Sequence, residues 1–286
     1  MGVELITQEA EQEQLAQLNL VAGKKAKAAT AYAAAVEYFN FGRELLTANS
    51  WQNQYELTLG LHTEAAEAAY LCGDFDGMEE LASVVESCAK MLLDKVKVYE
   101  VQMQACMAQN KLQEALNTGL QVLKLLGVEF PSEPNPSDIG QALGETAAIF
   151  NEKRIEDLID LPQMMEPYKL AAIRLLSSIF ATAYLAAPAL LPLTVCKQVQ
   201  LSVQYGNASV SPFAYANYGF LLCGVVGDID SGYQFGQLAL SLVSNVQKKS
   251  WYSIVPALKP PGLAILTSLI TNPRAFYALR FSINAK

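Results

Sequence analysis

Lys111-Leu112-Gln113-Glu114-Ala115-Leu116-Asn117-Thr118-Gly119-Leu120-Gln121-Val122-Leu123-Lys124-Leu125-Leu126 decides the fold class. Leu112, Ala115, Leu116, Gly119, Leu120 and Leu123 recur at steps of three and four, which places them on one face of a helix. The same period runs through Thr7–Ala22, Lys24–Thr47, Gln54–Cys72, Gly77–Leu93 and Asp94–Gln109. No stretch alternates apolar and polar residues between hairpin turns, so no strand is predicted. Composition agrees: 52% of the 286 residues are apolar and 17% charged, enough for a core and against disorder.

The breaks between these stripes repeat in kind. Gly73-Asp74-Phe75, Asn110-Lys111-Leu112 and Gly227-Asp228-Ile229 each join a residue tolerant of the left-handed conformation to a polar and then an apolar residue. That order ends one helix and turns tightly into an antiparallel partner. Tetratricopeptide repeats use a Gly-Asp-Tyr turn with a small residue three positions later. Ala115 and Gly232 fit that place and Met78 does not. Gly73 and Asn110 lie 37 residues apart, near the 34-residue tetratricopeptide period. Gly23 reads as an earlier, degenerate turn. The expected fold is therefore all-α: an irregular tetratricopeptide-like α-solenoid of antiparallel helix pairs.

Gly127–Pro136 carries three prolines and reads as a linker. Ser137 would cap the next helix. Pro162 and Pro167 bracket a break before a long helix from about Glu166 to Ala187. Ser211 would cap a helix running from Phe213 to Gly227, with Pro212 in its first turn. After Lys249 four prolines interrupt the chain and acids vanish. The expected organisation is N-terminal repeats 1–126, linker 127–136, C-terminal repeats 137–249 and an atypical, disordered tail 250–286.

The formal charge of −8 is unevenly spread. Residues 1–100 hold 16 acids and 7 bases, whereas 241–286 hold 6 bases and no acid. An acidic body repels phosphate backbones, so no nucleic-acid partner is expected. There is no secretory signal, and prolines 188 and 192 break the longest apolar stretch, so no membrane span is expected. Cys72, Cys88, Cys106, Cys196 and Cys223 form no CxxC pair and read as reduced, buried hydrophobes of a cytoplasmic protein.

No catalytic, cofactor-binding or metal-ligating residue is assigned. His62 is the only histidine, so any triad or phosphohistidine chemistry depends on it, and its mid-helix setting favours a structural role. Gly23-Lys24-Lys25 lacks the earlier glycine and the hydroxyl of a phosphate loop. Asp74/Asp76, Glu79/Glu80 and Asp157/Asp160 read as solvated helix ends rather than acid–base or metal pairs. Tyr205, Phe213, Tyr215, Tyr218 and Phe220 cluster around one turn, as core or as the lining of a ligand groove.

Several stretches then combine: Ala22-Gly23-Lys24-Lys25-Ala26-Lys27, Tyr38-Phe39 and Gly42-Arg43-Glu44-Leu45-Leu46; Leu61-His62 and Glu67–Phe75; Leu125–Val128 and Asp160-Leu161-Pro162; Tyr205-Gly206-Asn207, Tyr218–Gly224 and Gly232–Gly236. In this order the chain resembles, over about residues 15–245, the helical middle region of the cyanobacterial multi-sensor signal-transduction multi-kinases. The resemblance implies a parent with a serine/threonine kinase domain, an AAA-like ATPase, a GAF sensor and a histidine kinase. It implies that this chain is a truncated fragment or paralogue, and no active-site residue of the family maps onto it.

The expected function follows from array and resemblance together. It is a non-catalytic scaffold or regulatory segment whose concave face couples kinase, ATPase or sensor partners. A stand-alone tetratricopeptide-like adaptor, a small-molecule-binding helical sensor and an enzyme with an unrecognised site are the alternatives.

Overall fold

A computed structural model describes residues 8–150 and 154–248, and the expected tail at 250–286 lies outside them. Among the described residues the chain is all-α, with a single isolated bridge between Gln163 and Asn207 in place of any strand. Its contacts divide it into a unit up to Val122 and a unit from Leu123 onward.

The first unit is built from α1 (Glu9–Ala28), α2 (Tyr32–Glu44), the short α3 (Ser50–Asn53), α4 (Tyr55–Cys72), α5 (Phe75–Cys88), α6 (Leu92–Ala108) and most of α7 (Leu112–Leu125). Acids in the first turn of α1 and lysines in its last turn oppose the helix dipole favourably. The turn after α1 is not at Gly23, as the sequence reading had it. Gly23 sits inside α1, and the chain reverses at Thr30, whose φ is +61°. A Cβ on Gly23 would lie 2.4 Å from the Phe39 ring, so the glycine is there for close helix approach, not for a turn. The Thr30-Ala31-Tyr32 turn matches Gly73-Asp74-Phe75 and Asn110-Lys111-Leu112 in geometry, with φ of +82° at Gly73 and +59° at Asn110.

Cross-helix pairs fix the directions. Gly23 faces Phe39 and Gly42 faces Asn19, so α1 and α2 are antiparallel. Gln102 reaches Glu79, and Lys95 reaches the Glu86 carbonyl, so α5 and α6 are antiparallel too. Alternate helices run the same way. Gln54 reaches Glu13, Gly60 abuts Leu20 and Glu64 meets Lys27, which makes α1 and α4 parallel. Tyr55 bonds Asp94 at 2.5 Å and Glu67 bonds Lys97 at 2.9 Å, which makes α4 and α6 parallel. Phe39, Leu61, Ala66, Val85 and Val98 are among the fully buried residues of the core between them.

The second unit contains the rest of α7 and then α8 (Pro136–Ile149), a 3-10 segment (Ile155–Asp160), α9 (Pro167–Ser178), α10 (Phe180–Ala186), α11 (Leu191–Tyr205), α12 (Ser211–Leu221) and α13 (Ile229–Lys248). Three details correct the sequence reading. Asn135, not Ser137, caps α8: its Oδ1 accepts from Ser137 and Asp138 while Asp138 accepts from Asn135, and Pro136 fills the first position. The long helix expected from Glu166 to Ala187 is two helices bent by 43° at Ile179. Ser211 is already inside α12; its hydroxyl turns inward to accept from the Ala208 N–H and to bond Ser202.

Helix α12 ends in a π-helical turn, Leu222–Val226, before Gly227 at φ +86° leads into α13. There the two helices cross with backbones in contact. A Cβ on Gly219 would lie 2.6 Å from the Gly232 carbonyl oxygen. No single described helix is long and apolar enough to cross a membrane; only the bent pair α9 and α10 passes that test, and only when joined.

Candidate functional site

In α4, Tyr55-Glu56-Leu57-Thr58-Leu59-Gly60-Leu61-His62-Thr63-Glu64-Ala65-Ala66-Glu67, His62 is buried and Glu64 and Glu67 are half-buried. Glu64 and Glu67 stand one turn apart on the side where α4 meets α1, and Lys27 of α1 hydrogen-bonds both carboxylates. Lys97 of α6 completes the set on Glu67. Burial alone would push the Lys27 ammonium down, but its two carboxylate partners outweigh that and hold it above the usual lysine range. Burial likewise opposes the charge on Glu67, yet Lys97 and Lys27 keep its carboxyl below the ordinary glutamate range. Four charges on three parallel helices thus neutralise one another in a half-buried line. The sequence reading missed this cluster; its signal was a Glu-x-x-Glu pair within an alanine-rich stripe.

His62 lies on the other side of α4. Its Nδ1 is 2.8 Å from the Thr58 carbonyl oxygen, and its ring sits 5.2 Å from the Trp51 ring. Burial pushes its pKa below 6.5, the Thr58 bond works against that, and the Arg43 cation adds to the lowering. Arg43 bonds Asn40 through one terminal nitrogen, while its buried Nε has no partner among the described residues. The ring packs against the Trp51 indole in the helix interface, where burial and the Arg43 cation both disfavour its protonation.

In the second unit, stretches far apart in sequence meet at Asn207. Its N–H donates to the Pro162 carbonyl at 2.8 Å, and its own carbonyl accepts from Met164 at 3.0 Å. Its side chain donates to the Leu158 carbonyl and accepts from the Tyr215 hydroxyl. Gly206 must lack a side chain there, because a Cβ would lie 2.2 Å from the Pro162 oxygen. Asp160-Leu161-Pro162 and Tyr205-Gly206-Asn207 are thus two halves of one clasp.

The aromatic cluster divides. Tyr215 and Tyr218 are buried and pack with Phe235, and Phe150 packs on Tyr218 and Phe235. Burial raises both phenols well above their ordinary range. Phe213 pairs instead with Phe180, and Tyr205 is exposed beneath Lys169. These rings are core and surface, not the lining of one groove. The described depression nearby is open and lined by Phe150, Arg154, Ile155, Glu156 and Gln234.

The acid pairs sit at helix ends or on surfaces. Asp74 caps α5 by accepting from Gly77, Gln102 donates to Glu79, and Asp157 pairs with Arg154. Among the described residues no group of three or more His, Cys, Asp or Glu side chains converges as metal ligands would. The cysteines depart from the sequence reading. Only Cys196 is buried, with its thiol pushed up to about 11 by burial, while Cys72 and Cys88 are exposed at the last positions of α4 and α5. A helix end carries its final residue past the packed face, whatever that residue's hydrophobicity.

No family model matches the chain, and no solved structure matches it. It is similar to hybrid signal transduction histidine kinase G of Dictyostelium discoideum, with 23% identity over 292 aligned positions. That similarity covers 90% of this chain and 8% of the kinase, so the chain spans a small fraction of the relative it matches. The similarity indicates a relationship to signal-transduction kinases.

Proposed function

We propose that the chain is a non-catalytic helical-repeat segment of a signal-transduction kinase, coupling neighbouring kinase, ATPase or sensor modules through its helix packing. The observation that carries this reading is the extent of the similarity, which runs along nearly all of this chain and a small part of a histidine kinase. Repeated left-handed turns at Thr30, Gly73 and Asn110, antiparallel neighbours and parallel alternate helices support a tetratricopeptide-like array. On that reading the chain is of the kind carried by the cyanobacterial multi-sensor kinases and works in the cytoplasm, with repeats at 1–126 and 137–249 joined by the linker 127–136.

The mechanism is mechanical. A partner that prefers one packing of the array shifts its population, and a neighbouring module reads the shift. His62, turned into the helix interface beside Arg43 and Trp51, supports structural work rather than phosphoryl transfer.

The test is a tagged pull-down of the full chain from a cyanobacterial lysate, with mass spectrometry of what is retained. Specific recovery of a kinase, an ATPase or a response regulator is the expected result. A folded, monodisperse chain that retains none of them overturns the reading.

A further inference from the structure

Helix α1 buries one face and leaves the other bare. Ala16, Leu20 and Gly23 are buried, while Leu18 is 65% exposed and Val21 41% exposed. On neighbouring α2, Phe41 is 49% and Tyr38 42% exposed. The pairing of Gly23 with Phe39 and of Asn19 with Gly42 puts these aromatic residues at the same height as the middle of α1. Leu18 and Val21, three residues apart, share the side of α1 away from its buried residues, while Phe41 lies opposite Phe39 on α2 and points away from α1.

Charge says what covers the face. Glu11, Leu18 and Lys25 lie seven residues apart, so all three fall on one line along α1. All three are exposed, and neither Glu11 nor Lys25 makes an ion pair among the described residues. The 20-residue helix is about 30 Å long. Laid antiparallel on itself about a two-fold axis at Leu18, it sets each Leu18 against its counterpart. Each Glu11 then faces Lys25 of the second copy, twice across the axis. An isologous contact needs such a self-complementary stripe, acid at one end and base at the other around an apolar centre.

We infer that the outward face of α1, Glu11–Leu18–Lys25 with Val21 beside it, binds the same face of a second copy of this chain in an antiparallel two-fold dimer.

Sedimentation equilibrium of the full chain, up to about 100 micromolar where small interfaces associate, tests this. The wild type is expected to reach twice the chain mass with rising concentration, and to dissociate as salt is added. Leu18→Glu is expected to abolish the dimer. Glu11→Lys and Lys25→Glu, each placing like charges opposite one another twice, are expected to weaken it about tenfold. The double reversal Glu11→Lys/Lys25→Glu is expected to restore it. These side chains face solvent, and unchanged circular dichroism checks that each variant folds. A wild type that stays monomeric throughout overturns the inference. So does a dimer indifferent to Leu18→Glu, or one whose two charge reversals fail to compensate.

Discussion

Gly23 and Phe39 set the distance between α1 and α2 by what the glycine lacks. Gly23→Ala drives a methyl into the Phe39 ring, and the ring is too enclosed to retreat. Overpacking of this kind costs about 1–3 kcal/mol, expected as a lower urea midpoint with an unchanged slope. Glu67 balances two ammonium groups. Glu67→Gln leaves Lys27 and Lys97 short of a partner, and the expected loss is about 2–3 kcal/mol after allowance for partial exposure. His62 gives a pH signature of definite sign. Its folded pKa is below 6.5, so the unfolded chain binds the proton more tightly. The stability it contributes is intact above 6.5 and declines as pH falls through that value, by no more than about 1.4 kcal/mol per pH unit. Urea midpoints at pH 7.5 and 5.5 should therefore differ for the wild type and converge for His62→Phe.

Between helices, the turns and the clasp hold the parts in place. Thr30 adopts φ +61° without the freedom of a glycine, unlike Gly73 in the equivalent turn. Thr30→Gly removes that strain and is expected to stabilise the chain by about 0.5–1 kcal/mol, read as a raised thermal midpoint. Asn207 ties the 3-10 segment and the Pro162–Met164 strap to α11 and α12 through four hydrogen bonds. Asn207→Ala removes the acceptor of the buried Tyr215 hydroxyl and the side-chain donor to the Leu158 carbonyl, at about 1–3 kcal/mol. Hydrogen exchange should then quicken at Met164 before it does along α12, because the Met164 N–H depends on the docked strap.

For the chain as a whole, charge and amphipathic helices were open to view and contacts were not. A formal charge of −8 disfavours polyanions, so the full chain is expected in the flow-through of a heparin column at physiological salt. Retention there would shift weight to the basic segment at 241–286 as a binding element. The two units have separate buried clusters, one around Phe39 and Leu61 and one around Tyr215 and Phe235. Hydropathy along the chain is helical through both and does not mark where one ends; the division falls inside α7, within the very stripe that reads most clearly as a helix.

The sequence by itself determined the all-α class, the helix period and the turns at Gly73, Asn110 and Gly227. Those are local properties, fixed by hydrophobic spacing and by which residues tolerate a positive φ. It could not tell Gly23 from Gly73. One glycine serves a crossing and the other a turn, and the difference lies in Phe39, sixteen residues away from Gly23. It could not show that Glu64 and Glu67 are inward, since their partner Lys27 is 37 and 40 residues distant. Nor could it join Leu158 to Asn207 across 49 residues, or leave Cys72 and Cys88 in solvent. Backbone preference acts between neighbours along the chain. Burial, charge pairing and close approach are settled between neighbours in space, and only the tertiary structure supplies those.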